Sequence, residues 1–139
     1  AVIWLFINQR KWRQKSTILK GSERQKELKN HEKNGNKLFF YVIGVISLAF
    51  LSKIFYFQII NGEVGISDLI PNHFHGWAGL LGLGLMIYLR HLGLRARKNR
   101  LEKKPFAKIS NLHGRLSDIM IYLIMIHAFL GFLYLFTYL

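Results

Sequence analysis

The chain has 139 residues, enough for one domain, and no cysteine, which excludes a disulfide framework, a thiolate metal site and a cysteine nucleophile. Its residues are 51% apolar, yet its net charge is +13, and the two properties are segregated: 18 of the 20 Lys and Arg fall within residues 9–37 or 90–112. A soluble basic protein spreads its charge over amphipathic faces; blocks of this kind are what a bilayer imposes, because hydrocarbon excludes charge and the aqueous loops accept it.

Residues 1–8 (AVIWLFIN) are apolar but too short to cross a bilayer, and are expected to be the tail of a first helix whose basic residues follow the apolar run. Residues 9–37 form the first basic segment, with ten Lys or Arg. Within it GSERQKELKNHEKNGN (21–36) reads either as a short surface helix or as loose chain, with Asn34-Gly35 as a breaker. Residues 38–60 carry a single charge, Lys53, and at about 1.5 Å per residue are long enough to cross roughly 30 Å of hydrocarbon. Lys53 lies towards the far end, where its stem is expected to snorkel to the headgroups. Asn61-Gly62, Gly65 and Pro71 mark a turn region over 61–72.

Residues 73–92 make the third span, rich in glycine (Gly76, Gly79, Gly82, Gly84). GLLGLG at 79–84 has no preceding strand, so it is read as a surface for close helix packing or for a flat cofactor, and not as a nucleotide loop. The second basic segment, 90–112, carries eight Lys or Arg, and Ser110 or Asn111 is expected to cap a last span over 113–138. Loop 61–72 has no Lys or Arg and contains Glu63 and Asp68. The fold class is therefore all-α: an integral membrane helical bundle of four transmembrane helices, the first only partly present, in one domain spanning 1–139. Alternating helices put both basic segments on one side, which the positive-inside rule assigns to the cytoplasm or stroma. The bilayer is the expected partner of these charges and nucleic acid is not, since few aromatic residues accompany them and no recognition motif does.

Five of the six histidines, His73, His75, His91, His113 and His127, lie in or at the ends of the last two spans, whereas His31 reads as a solvated loop residue. An ionisable residue inside a membrane marks a functional site by default. His127 falls about 14 residues into the last helix, and Gly131 one turn later leaves room for a flat ligand, so His127 is expected to be an axial ligand to a tetrapyrrole. His113 lies fourteen residues earlier, within about 40° of the same face and some 21 Å away, a spacing that suits two stacked haems. On the antiparallel third span His91 is placed to meet His113, and His73 or His75 to meet His127. His91 beside Arg90 also reads as part of the interfacial basic cluster. Arg115 and Asp118, three residues apart, are expected to neutralise one another. There is no nucleophile elbow, HExxH motif or paired carboxylates.

At HFHGWAGLLGLGLMIYLR and NLHGRLSDIMIYLIMIHAFLGFLYLF the chain resembles a family of four-helix membrane proteins of cyanobacteria and plastids, which in turn look distantly like the transmembrane domains of ferric reductases and b-type cytochromes. The resemblance covers about 31–139 and implies functional roles for His31, His75 (or His73) and His113, a thylakoid or plasma-membrane location, and a haem. His127…Gly131 looks more like the b-cytochrome pattern. Two functions follow as expectations. The first is a haem b protein for transmembrane electron transfer, with His113 and His127 as metal ligands opposite His91 and His73 or His75. The second is an accessory subunit of a larger photosynthetic membrane complex, its histidines ligating chlorophyll magnesium or serving only packing.

Overall fold

The computed structural model describes residues 7–8, 11–12 and 18–136, and among these it is all-helical. The elements in chain order are α1 (Gly21–Asn61), a one-turn helix α2 (Ile66–Leu69), α3 (Phe74–Leu101) and α4 (Ala107–Leu135). The long helices α1, α3 and α4 are each long and apolar enough to cross a membrane. The first helix expected over residues 1–8 lies outside the described residues apart from Ile7 and Asn8.

α1 has 41 residues and is about 60 Å long, twice a bilayer's hydrocarbon thickness. Its apolar half is the span read from the sequence. Its polar half is the stretch the sequence left open, and Asn34-Gly35 does not break it. A glycine inside a helix costs about 1 kcal/mol relative to alanine. Here Glu, Gln, Lys, Arg and Leu on either side are good helix formers, and the membrane-embedded half holds the helix already nucleated below it. The helix stops at Asn61, because Gly62 takes the left-handed conformation (φ 74°) and turns its N–H back to the Gln58 carbonyl. α3 begins at His73, whose imidazole accepts a hydrogen bond from the Gly76 N–H at 2.9 Å.

α3 and α4 are antiparallel neighbours joined by a tight turn over residues 102–106, in which Lys103 adopts a positive φ of 53°. α3 continues past the expected span to Leu101, and α4 starts at Ala107, before the expected Ser110 or Asn111 cap. Its N-cap is Phe106, with no side-chain bond. Ser110 instead gives its backbone N–H to the Phe106 carbonyl within the first turn. Much of the basic 90–112 segment is thus helix.

Only Leu89 and Leu92 of α3 and Met120 of α4 are buried among the described residues. Large apolar side chains are exposed along the spans, among them Leu48 (67%), Phe55 (64%) and Ile59 (81%). Water does not tolerate apolar surface of that extent on a monomer; hydrocarbon does. The basic stretches meet at one end of the molecule. Glu32 of α1 pairs with Arg100 (2.8 Å) and Arg97 (3.5 Å) of α3, and Arg90 donates to Asn36 while lying over the Phe39 ring at 4.8 Å. At the other end Lys53 donates to the Ile70 carbonyl that closes α2, so it ties the far loop to α1.

Candidate functional site

Histidines gather at both ends of the α3–α4 pair, in two different geometries.

At the basic end, His113 on the first turns of α4 gives its Nδ1–H to the Leu89 carbonyl of α3 at 3.0 Å. A carbonyl has no proton to offer, so Nδ1 is the protonated nitrogen and Nε2 is the one with a free lone pair. Gly93 lies beside this contact. A helical side chain leans towards the N-terminus and covers the turn four residues before it, so a glycine at i+4 uncovers carbonyl i. A Cβ added at Gly93 would lie 3.5 Å from the His113 ring, an ordinary contact. His31 of α1 approaches His113 with ring centres 6.3 Å apart and planes at 89°, and it stacks on Trp12 at 4.8 Å. His31 is therefore half-buried and not the solvated loop residue expected. The charged segment around it is helix, and the Glu32 pairs with Arg97 and Arg100 hold that helix against α3. Burial lowers the His31 pKa, and the neighbouring His113 lowers it further; the Glu32 carboxylate opposes both.

A groove of about 780 Å³ opens beside these two rings. Met86, Leu89, Met120, Ile121 and Ile124 line its apolar side, and Lys33, Arg90 and Arg97 stand on its basic side. The volume is within the range of small-molecule and cofactor sites.

At the opposite end, His75 of α3 and His127 of α4 stack face to face, ring centres 4.0 Å apart and planes at 17°. His75 gives its Nδ1–H to the His127 carbonyl at 3.1 Å. A Cβ at Gly131 would lie 2.8 Å from His75, and one at Gly79 would lie 3.1 Å from His127. The Nδ1 of His127 is buried with no hydrogen-bond partner. His73 lies against Tyr134, ring centres 4.2 Å apart, and its Nδ1 is engaged at the helix cap.

The expected residues are thus partly brought together. His75, not His73, meets His127. His91 is exposed on α3 and does not face His113, whose place opposite is taken by His31. Gly79 receives His127, Gly82 receives Leu123 at 3.8 Å, and nothing approaches Gly84. His31 was missed by the reading of spans because it sits in a charged stretch; only the family resemblance pointed to it.

A tetrapyrrole iron with two axial imidazoles, each bound through a nitrogen about 2 Å away, holds their ring centres roughly 6 Å apart and edge-on to the metal. The His31–His113 centre spacing of 6.3 Å matches that distance, and the Nδ1–H anchor of His113 is the outer contact a metal-bound imidazole ordinarily makes. The His75–His127 pair does not fit: its rings are too close and face each other, and the room left by Gly131 is filled by His75 itself. Among the described residues no three histidines or carboxylates converge as a metal site. No protein-family model, curated protein or solved structure matches the chain.

Proposed function

We propose that the chain is a small integral membrane protein that holds a b-type haem between His31 and His113 and serves electron transfer. The observation that carries this is the His31–His113 ring pair at 6.3 Å, opening on a groove of about 780 Å³. When bound, a haem supplies reversible one-electron chemistry, and two imidazole ligands leave no open iron position, which suits electron transfer more than oxygen chemistry. The residues' own tasks follow from their contacts. The Leu89 carbonyl fixes the His113 tautomer, so that Nε2 is the nitrogen available for a metal. Met86, Met120 and Ile121 give the groove an apolar wall for a flat ring, and Arg90, Arg97 and Lys33 offer positive charge to ligand carboxylates at its edge. Glu32 draws α1 onto α3 and so brings His31 opposite His113.

Three spanning helices with a basic end support placement in a bilayer with that end on the cytoplasmic or stromal side. The resemblance to the cyanobacterial and plastid family supports a thylakoid membrane.

The experiment is the spectrum of the purified protein before and after dithionite. A low-spin haem band pattern that sharpens on reduction is expected, and His31→Ala or His113→Ala should remove it. Absorption in the red would replace haem by chlorophyll and favour an accessory role in a photosynthetic complex. A colourless preparation from cells supplied with haem would refute the reading.

A further inference from the structure

One local device recurs twice between α3 and α4, and a third histidine shares its glycine contact without the carbonyl bond. An imidazole from one helix enters a socket on the other, made where a glycine four residues on uncovers a carbonyl. His113 occupies the Leu89/Gly93 socket, His75 the His127/Gly131 socket, and His127 lies over Gly79, four residues after His75. The last two are reciprocal: each histidine is both the guest in one socket and the opening residue of the other. In sequence the pair reads His-x-x-x-Gly on both helices, His75 to Gly79 and His127 to Gly131.

We infer that His75 and His127 form a helix-crossing lock and not a ligand pair, so that the chain carries a single tetrapyrrole site, at its basic end. Both sockets are filled by the imidazoles, and the rings face each other at 4.0 Å, leaving no space between them for a macrocycle. Geometry also limits the lock. His75 gains the carbonyl bond, while His127, pressed flat against it, keeps a buried Nδ1 without a partner. The two helices are thereby pinned at the end away from the turn over residues 102–106, which already holds the other end. A single site at one end means that electrons enter and leave on the basic side, and that the chain alone does not carry them across the bilayer. The number of sites rests on the haem reading above; the lock does not.

The test takes the full chain in detergent and measures haem per polypeptide together with thermal melting by far-ultraviolet circular dichroism. One haem per chain is expected, retained at the wild-type ratio in His75→Ala and His127→Ala, with the melting temperature of both variants lowered. Gly131→Ala, which keeps both histidines but closes a socket, should lower the melting temperature while leaving haem content unchanged. Two haems per chain, or loss of haem in His75→Ala or His127→Ala with the helix content intact, would overturn the inference. If no haem is bound by any form, the functional reading fails, and the melting data alone decide the lock: unchanged melting in all three variants would refute it.

Discussion

The two ends of the α3–α4 pair use the same socket for different purposes. At the far end the imidazoles of His75 and His127 are consumed by each other, packed face to face over glycines with no space for a third group. At the basic end His113 is held by an equivalent carbonyl bond, but its ring looks out towards His31 across a groove. The difference lies in what stands opposite. α4 presents a second histidine to His75, whereas at the basic end the partner histidine comes from the polar extension of α1. A histidine's placement on an apolar face therefore does not decide its role. Whether its second nitrogen and its ring face are already engaged does.

The comparison is most easily broken at the glycines. Gly131→Ala puts a Cβ 2.8 Å from His75, closer than side chains approach, so the imidazole must shift in its socket and strain its bond to the His127 carbonyl. Overpacking of this kind costs about 1–3 kcal/mol, which exceeds the roughly 1 kcal/mol that alanine gains over glycine in a helix. Gly93→Ala is the matched case: the new methyl meets His113 at 3.5 Å without clash, so the propensity gain remains and stability should rise by up to about 1 kcal/mol. Reversible unfolding in mixed micelles measures both. Equal effects of the two substitutions would show that the sockets differ less than their distances imply.

Glu32→Gln tests how the basic end is assembled. Glu32 and Arg100 are both partly shielded, and the substitution should cost about 1 kcal/mol, more at low ionic strength than at high. It should also loosen His31 from His113, and Trp12, stacked on His31, reports that movement through its fluorescence.

Acid acts on the same contact. His31 has a pKa lowered by burial, so the folded protein resists taking up a proton that the unfolded chain accepts near the ordinary imidazole value of about 6.5. Stability from this group is complete above that value and declines as the pH falls through it towards the lower folded-state pKa. In the haem-free protein, Trp12 emission followed as the pH is lowered from 8 should change below that value, and His31→Ala should abolish the change.

The smallest effect is expected at Lys103, the non-glycine residue held at φ 53° in the turn between α3 and α4. Lys103→Gly removes that strain at the cost of a more flexible unfolded chain, for a net gain of a few tenths to about 1 kcal/mol. A thermal melt detects it.

Much of the architecture was legible in the charge pattern. The span over 38–60 and the stop at Asn61-Gly62 follow from hydropathy and glycine chemistry, α3 covers the third span from Phe74 onward, and α4 covers the last span as far as Leu135. The helical character of 21–36 and 93–101 was not legible, because charged helix formers support a helix only once an embedded segment has nucleated it. Axial distances along antiparallel helices bring either His73 or His75 to His127 and do not choose between them; the structure selects His75. Choosing His31 over His91 was not: α1 and α3 had to be docked through Glu32, Arg97 and Arg100 before His31 could be seen to face His113. The role of Gly131 was also misjudged from sequence, since its empty face was expected to admit a flat ligand and instead admits His75.

Electron paramagnetic resonance of the oxidised protein tests the central claim most directly, because a low-spin ferric signal reports both the number of sites and the relative orientation of the axial rings. One site bounded by His31 and His113, with ring planes near 89°, predicts a single, strongly anisotropic low-spin signal that disappears in His31→Ala. Two distinct low-spin signals, or one that survives His31→Ala and is lost in His127→Ala, would contradict the account.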